Sequence, residues 1–144
     1  MKLAVIAANG KAGQLITKEA INRGLDVTAI VRSTNKIEAK QVIQKDLFDL
    51  TKDDLSEFDV VIDAFGQPDQ TKLEEHSKSL KHLSDLLSGS EQRLLIIGGA
   101  GSLFVDSSHT MRLVDSPDFP KQFKATALAQ TKTLEEIKQR DDVQ

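Results

Sequence analysis

A glycine-spaced turn, Ala7-Ala8-Asn9-Gly10-Lys11-Ala12-Gly13, follows the first apolar run of the chain. Glycines at this spacing between a strand and a helix let the backbone approach a pyrophosphate, whose charge then meets the helix N-terminus. Gly10 would allow that approach, and Gly13 would allow the helix to pack closely on the strand. Ala7 stands where glycine is commonest, which is tolerable if its φ is negative. A turn that needs glycine for geometry alone would look the same.

The residue after the second predicted strand bears on which dinucleotide fits. Sites specific for NAD carry Asp or Glu about 20 residues beyond the glycines, whereas this chain has Arg32 there, followed by Ser33. A guanidinium can pair with a 2′-phosphate through two parallel hydrogen bonds, and Lys36 is close enough in sequence to assist. The pattern therefore favours NADP(H) over NAD(H), with a solvent-exposed arginine as the alternative.

Further candidate contacts with the dinucleotide follow the third and fourth predicted strands. Asp46 and Leu47 come where a residue beside the adenine often lies, and a capping role suits Asp46 equally well. Ala64, Phe65 and Gly66 end the fourth strand and are placed to pass beneath the cofactor. A plain core role for Phe65 is the alternative.

The fifth predicted strand ends in glycines at the edge where ligands bind in open α/β sheets. Gly98 and Gly99 are predicted to contact the cofactor, and Ser102 is the candidate catalytic residue, because its hydroxyl could orient an acceptor. A serine that merely caps the loop is the alternative. Arg112 either meets a flavin phosphate or faces water.

Length and composition limit the classes of fold and ligand. The chain has 144 residues, about one domain, with 39% hydrophobic and 28% charged residues, as is ordinary for a globular domain. A net charge of −3 argues against nucleic acid as the ligand. The absence of cysteine excludes disulfides and thiolate metal sites, and three scattered histidines do not form a zinc site. No metal is expected, and His76 is predicted to pack while His82 is exposed.

Apolar β-branched runs alternate with helix-like stretches along the whole chain, which predicts an α/β fold. We expect residues 1–144 to form a single dinucleotide-binding domain with a Rossmann-type, doubly wound parallel sheet of strand order 3-2-1-4-5. Helices are predicted from about residue 12, after a Thr51 cap, over 70–88 and over 125–139, with Leu15 and Leu128 facing the core. Residues 103–122 are predicted to form a long loop that contacts substrate. The predicted strands cover residues 3–7, 27–31, 42–43, 60–65 and 94–97.

No apolar run approaches the length that spans a membrane, and the N-terminal run is too short for a signal peptide. The sequence therefore predicts a cytoplasmic protein with no membrane partner.

Several segments together resemble one family, namely residues 8–13, 30–32, 59–66, 94–103, 114–120 and 127–130. The chain is similar to the atypical short-chain dehydrogenase/reductases that bind NAD(P)H, a group that includes NADH-flavin reductase-like and NmrA-like proteins. The resemblance implies an oxidoreductase that passes hydride to a small-molecule acceptor, either a flavin such as FMN or a quinone. The alternative that it implies is a non-catalytic dinucleotide-binding redox sensor or regulator of the NmrA type.

Two departures from this family bear on activity. Family members continue into further C-terminal strands that help shape the substrate pocket, whereas this chain stops where the next strand would begin. An uncovered fifth strand would favour pairing with a partner, including a homodimer. The superfamily's Tyr-x-x-x-Lys acid is absent because the chain has no tyrosine, and Phe123 and Ala127 take the nearest equivalent positions. A flavin or quinone needs no strong protein acid to accept hydride, so a reductase of this kind stays compatible with the residues.

Overall fold

Five parallel strands form one sheet in the computed structural model, which describes residues 1–144. They are β1 (Lys2–Ile6), β2 (Asp26–Val31), β3 (Gln41–Gln44), β4 (Val60–Asp63) and β5 (Arg93–Ile96). The strand order is β3-β2-β1-β4-β5. The Rossmann-type topology predicted from the alternation of elements is therefore confirmed.

Helices follow every strand except β2, which a loop joins to β3, and they pack on both faces of the sheet. They are α1 (Lys11–Asn22), α2 (Lys52–Leu55), α3 (Glu75–Leu87) and α4 (Lys121–Ile137), with short 3-10 helices at Leu47–Asp49, Ala100–Ser102 and Leu113–Asp115. None of the helices is long and apolar enough to cross a membrane.

Two apolar clusters hold these layers together. On one face, Ala20 of α1 packs with inward residues of the strands such as Val5 and Ala29. On the other face, α3 contributes Leu83 and other leucines that pack on the strands and on α2. Burying a leucine side chain contributes about 1.5–3 kcal/mol, so α3 is anchored firmly against the sheet.

The register of the sheet aligns the carboxyl ends of neighbouring strands. Ile6, the last residue of β1, pairs with Ile30 on one side and with Asp63 on the other. Asp63 in turn pairs with Ile96, the last residue of β5. Gln44, the last residue of β3, likewise pairs with Val31 at the end of β2. The segments that follow the five strands therefore meet along one edge of the sheet, and the predicted site residues lie in these segments.

Two helices begin at residues other than those predicted. The α3 helix begins at Glu75 rather than at residue 70, because the Asp69 carboxylate accepts hydrogen bonds from the Thr71 backbone N–H (2.9 Å) and hydroxyl (2.7 Å) and closes a turn there. The α4 helix begins at Lys121, earlier than predicted, directly after Pro120. Proline suits a helix start because it has no N–H to leave unsatisfied.

The inward faces of two helices also differ from the prediction. Leu15 and Leu128 are exposed, at 70% and 45% of their surface. Smaller residues face the sheet instead, such as Thr17 and Ala20 in α1 and Ala127 in α4. In α4 the small Ala127 lies close to the 3-10 helix Ala100–Ser102, since a Cβ on Gly101 would come 2.9 Å from the Ala127 Cβ.

The predicted cap of α2 is confirmed. The Thr51 hydroxyl accepts from the Asp54 backbone N–H (3.3 Å), and the Asp54 carboxylate accepts from the Thr51 N–H (2.8 Å), which completes a capping box. Lys45 donates to the same carboxylate at 2.7 Å, and these contacts lower the pKa of Asp54.

The loop over residues 103–122 is ordered by local contacts. Phe104 forms an antiparallel bridge with Arg112. Within the bridged segment, the Asp106 carboxylate accepts from the hydroxyls of Ser108 and Thr110 and from the Met111 backbone N–H. These hydrogen bonds lower the pKa of Asp106 well below its usual range.

Candidate functional site

The glycine-spaced turn after β1 has a left-handed residue at its start. Ala7 has φ of +57°, so the condition of a negative φ expected from the sequence is not met. This conformation costs a non-glycine residue roughly 1–2 kcal/mol. The turn is closed by a hydrogen bond in which the Gly10 N–H donates to the Ala7 carbonyl at 3.0 Å. Alanine thus occupies a glycine conformation at the first position of the motif.

Gly13 lets α1 lie directly against the end of β1, as the sequence predicts. A Cβ on Gly13 would come 2.3 Å from the Ala7 carbonyl oxygen and 2.7 Å from the Ala8 Cα. Both neighbours are backbone atoms, so no side-chain movement could make room. The start of the helix is therefore held at the sheet edge by a contact that only glycine allows.

The first turn of α1 offers free hydrogen-bond donors. No side chain caps the helix, and the backbone N–H groups of Lys11, Ala12 and Gly13 have no acceptor within the chain. Unsatisfied N–H groups and the helix dipole together favour an anion at such a terminus. The turn thus has the donor set that a pyrophosphate requires.

Asn9 ties the turn to the loop that follows β2. Its side-chain amide donates to the Thr34 carbonyl at 2.9 Å, and its Oδ1 accepts from the Lys36 backbone N–H at 2.9 Å. Both bonds hold the segment that carries Arg32 and Ser33 beside the glycine turn. Asn9 and Lys36 therefore shape the site through these bonds.

A groove of about 430 Å³ runs along this edge of the sheet, and we call it the edge groove. It brings together nine of the residues predicted from the sequence, which are Ala7, Asn9, Gly10, Arg32, Ser33, Asp46, Leu47, Phe65 and Gly66. Its lining also contains residues that the sequence did not single out, among them Lys45, Phe48, Gln67, Pro68, Lys72 and Glu75. Because Lys45 comes directly after β3, the sequence could have identified it as a residue of the groove. The place of residues 67–75 in the groove depends on the turn before α3, which the sequence did not predict.

Asp46 has a structural role in the groove as a helix cap. Its Oδ1 accepts from the Phe48 backbone N–H at 2.9 Å and so caps the 3-10 helix Leu47–Asp49. The capping role considered for Asp46 is confirmed, and the residue lines the groove as well. Phe48 lies edge-on to Phe65, with ring centroids 6.5 Å apart.

A second cavity, of about 380 Å³, lies behind the ends of β4 and β5 and against α3 and α4; we call it the inner cavity. Gly98, Gly99 and Ser102 line this cavity and not the edge groove. Phe65 lines both and separates them. The remaining lining residues are Asp63, His76, Ser79, Leu80, Ile96, Ile97, Ala100, Leu103, Gln130, Thr133, Leu134 and Ile137.

Ser102 and Arg112 have partners within the chain. The Ser102 hydroxyl donates to the Gly99 carbonyl at 3.3 Å, the loop-capping contact considered above. Arg112 donates to Glu135 at 2.5 Å and lies 5.3 Å from the centroid of the Phe104 ring. The prediction that Arg112 meets a ligand phosphate or water is wrong, because this pair links the loop to α4.

Asp63 is a buried acid that the sequence reading missed. Only 5% of its surface is exposed, and burial raises the pKa of its carboxyl to about 6, although a hydrogen bond from the Phe65 backbone N–H (3.0 Å) opposes the rise. The signal in the sequence was an acid at the end of the apolar run Val60–Ile62, where one further apolar residue would be expected.

His76 packs as predicted, and one of its nitrogens is left without a partner. The residue is 6% exposed, and its ring lies 6.1 Å from that of Phe65. Burial lowers the pKa of His76, and its Nε2 makes no hydrogen bond. His82, predicted to be exposed, is half-buried with its Nε2 2.9 Å from the Leu50 carbonyl oxygen.

No group of three or more histidine, aspartate or glutamate side chains is arranged to hold a metal ion.

Comparison with known proteins places this geometry in a family. A family model described as NAD(P)H-binding matches residues 7–141. YwnB, an uncharacterized protein of Bacillus subtilis, is 46% identical over 147 residues, which is 99% of this chain and 68% of that protein. A solved structure from Streptococcus pneumoniae, described as a "putative NADH-flavin reductase", is 53% identical with a TM-score of 0.96 over 99% of this chain and 68% of its own. A structure from Lactobacillus casei is 28% identical, with a TM-score of 0.83 over 99% of this chain and 70% of its own.

Proposed function

This chain belongs to the NAD(P)H-binding family, and from that premise we propose that it is an NAD(P)H-dependent reductase whose dinucleotide lies in the edge groove. Residues 1–144 act as one dinucleotide-binding domain. The observation that carries the proposal is the set of free N–H groups at the start of α1, held at the groove by the contact between Gly13 and β1. These donors suit the pyrophosphate, which is the part common to all such cofactors.

The proposal includes a preference for NADP(H). Arg32 lines the groove directly after β2, where NAD-specific sites carry an acid. Arg32 makes no ion pair within the chain, so its guanidinium is free to take a 2′-phosphate. Asn9 supports this role because its two hydrogen bonds fix the loop that follows Arg32.

The acceptor is a flavin or a quinone. When bound, NAD(P)H supplies a hydride, which together with one proton from solvent converts a quinone to a hydroquinone or a flavin to its reduced form and leaves NAD(P)⁺. Hydride transfer to such an acceptor depends on its position beside the hydride donor more than on acid catalysis. The chain has no tyrosine to serve as the acid. The relative from Streptococcus pneumoniae, described as a "putative NADH-flavin reductase", supports this class.

Two measurements distinguish a reductase from a non-catalytic dinucleotide-binding regulator. Purified protein is mixed with NADPH and with FMN, riboflavin or menadione, and the loss of NADPH absorbance is followed. A reductase oxidises NADPH only when an acceptor is present. Tight binding of NADPH, seen as a rise in melting temperature, without oxidation by any acceptor would overturn the reductase and leave the non-catalytic regulator.

The NADP(H) preference is tested by Arg32→Ala. Loss of hydrogen bonds to a charged group costs about 1.5–3 kcal/mol, so the Kd for NADPH should rise about 10- to 100-fold, while that for NADH changes little. Arg23→Ala is the matched control, because Arg23 lies at the other end of α1 and pairs with Glu19. Equal losses for both dinucleotides would remove the argument for the 2′-phosphate.

A further inference from the structure

The inner cavity is large enough for a small molecule, and most of its walls are apolar. Its volume of about 380 Å³ falls within the range of small-molecule pockets. Leu80, Ile96 and Leu134 give it apolar walls from α3, β5 and α4. A molecule that fills this cavity therefore needs an apolar body, such as a single ring.

One carboxylate oxygen opens into the inner cavity without a partner. Asp63 is almost wholly buried, and it lines this cavity and not the edge groove. Its Oδ1 accepts the hydrogen bond from the Phe65 backbone N–H. Its Oδ2 makes no hydrogen bond or ion pair within the chain. Unlike the Nε2 of His76, this oxygen is not fully enclosed, so a molecule in the cavity can reach it.

No positive charge of the chain balances the Asp63 carboxylate. No lysine or arginine lines the cavity, and the other titratable group in the lining is His76. Burial lowers the pKa of His76, so its ring is mostly neutral at pH 7. Buried charges in proteins are normally paired or bound to a metal, and one carboxylate supplies too few ligands for a metal ion. The missing positive charge therefore has to come on an organic molecule.

The hydrogen bond to Phe65 does not by itself explain an acid at this position. The side-chain oxygen of an asparagine would accept the same N–H without burying a charge. Burial raises the pKa of Asp63 only to about 6, so most of the carboxyl is ionised at pH 7 and above. A protonated amine would form a charge-assisted hydrogen bond with Oδ2, and such bonds are stronger than those between neutral groups.

We propose that the inner cavity is a binding site for a small organic cation, a ring-bearing primary amine whose ammonium group donates to Asp63 Oδ2. The ring packs against the apolar walls, and Asp63 is the residue that selects the charge. An ammonium group does not accept hydride, so this ligand is different from the flavin or quinone proposed above. Its binding does not depend on whether the edge groove takes a dinucleotide.

Benzylamine and benzyl alcohol test the proposal as a matched pair, because they share a ring and differ in charge. Each is titrated into the protein without any dinucleotide, and nitrogen–proton correlation spectra are recorded. Benzylamine should shift the resonances of Gly98, Gly99 and the Gln130 side chain, which line the cavity. Its Kd should be about 10-fold or more below that of the alcohol. Asp63→Asn should abolish this difference, whereas Asp118→Asn, at an exposed position, should preserve it.

A pH series on the wild type tests the same contact without a variant. Between about pH 8 and pH 5 the ionised share of a carboxyl with a pKa of about 6 falls roughly 10-fold, so the Kd for benzylamine should rise by about that factor. The same series on Asp63→Asn isolates any contribution from protonation of His76, the other titratable group facing the cavity. Equal Kd values for the two probes, an unchanged preference in Asp63→Asn, or shifts confined to the edge groove would overturn the proposal. NADPH binding is measured separately by thermal shift, so failure of the cavity and failure of the groove are told apart.

Discussion

Replacing Asp63 by asparagine should stabilise the protein at neutral pH. In the folded chain burial raises the pKa of Asp63 from 3.8 to about 6. Below pH 3.8 the carboxyl is protonated in both the folded and the unfolded chain, and it costs nothing. As the pH rises towards 6 the unfolded chain loses the proton first, so folding becomes less favourable. At about 1.4 kcal/mol per pKa unit, the buried acid costs on the order of 3 kcal/mol above pH 7.

Asparagine removes that cost and can still accept the hydrogen bond from the Phe65 N–H through its Oδ1. Urea unfolding of the wild type and Asp63→Asn, measured from about pH 4 to pH 8, should show no difference at the acid end. The variant should gain on the order of 3 kcal/mol at the other end, a rise in Tm of about 6–12 °C. Asp118→Asn, at an exposed position, is the control. A gain independent of pH, or no gain at pH 8, would refute the burial of a charge at this site.

Three further substitutions test local geometry by urea unfolding. Gly13→Ala should destabilise the fold by about 1–3 kcal/mol, because its Cβ meets backbone atoms; an unchanged midpoint would mean that α1 does not contact β1 this closely. Ala7→Val should cost about 1–3 kcal/mol at φ of +57° while Ala7→Gly costs nothing; equal stabilities would contradict the left-handed turn. Thr51→Ala should lose about 1 kcal/mol with the capping box, and no loss would show that the box is not formed in solution.

The strand order and the glycine turn were predictable because they depend on local pattern. Alternating apolar runs specify strands, short connections specify their neighbours, and Gly13 is needed by backbone geometry alone. Nine of the residues that line the edge groove could be named for the same reason, since the ends of parallel strands meet at one edge.

What the sequence could not reveal depends on packing between distant elements. The pairing of Arg112 with Glu135 joins residues 23 positions apart and leaves no periodic signal. Gly98, Gly99 and Ser102 line the inner cavity and not the edge groove, a division that the sequence could not show because it depends on how α4 packs against α3. The start of α3 was missed because a single side chain, Asp69, closes a turn that competes with the helix.

Asp63 and His76 both lower the stability of the fold, because each is a polar group buried from water in a mostly apolar space. The Asp63 carboxyl alone offsets on the order of 3 kcal/mol of stability above pH 7, and the unsatisfied His76 Nε2 adds to that cost. An apolar side chain at either position would remove this loss of stability and complete the apolar core. A buried group in a cavity whose pKa is strongly shifted, as that of Asp63 is, is typical of a functional site. Both groups also contact Phe65: the Asp63 carboxylate accepts a hydrogen bond from the Phe65 backbone N–H, and the His76 ring packs edge-on against the Phe65 ring. The residue that divides the groove from the cavity is therefore held by two residues that stability alone would not select.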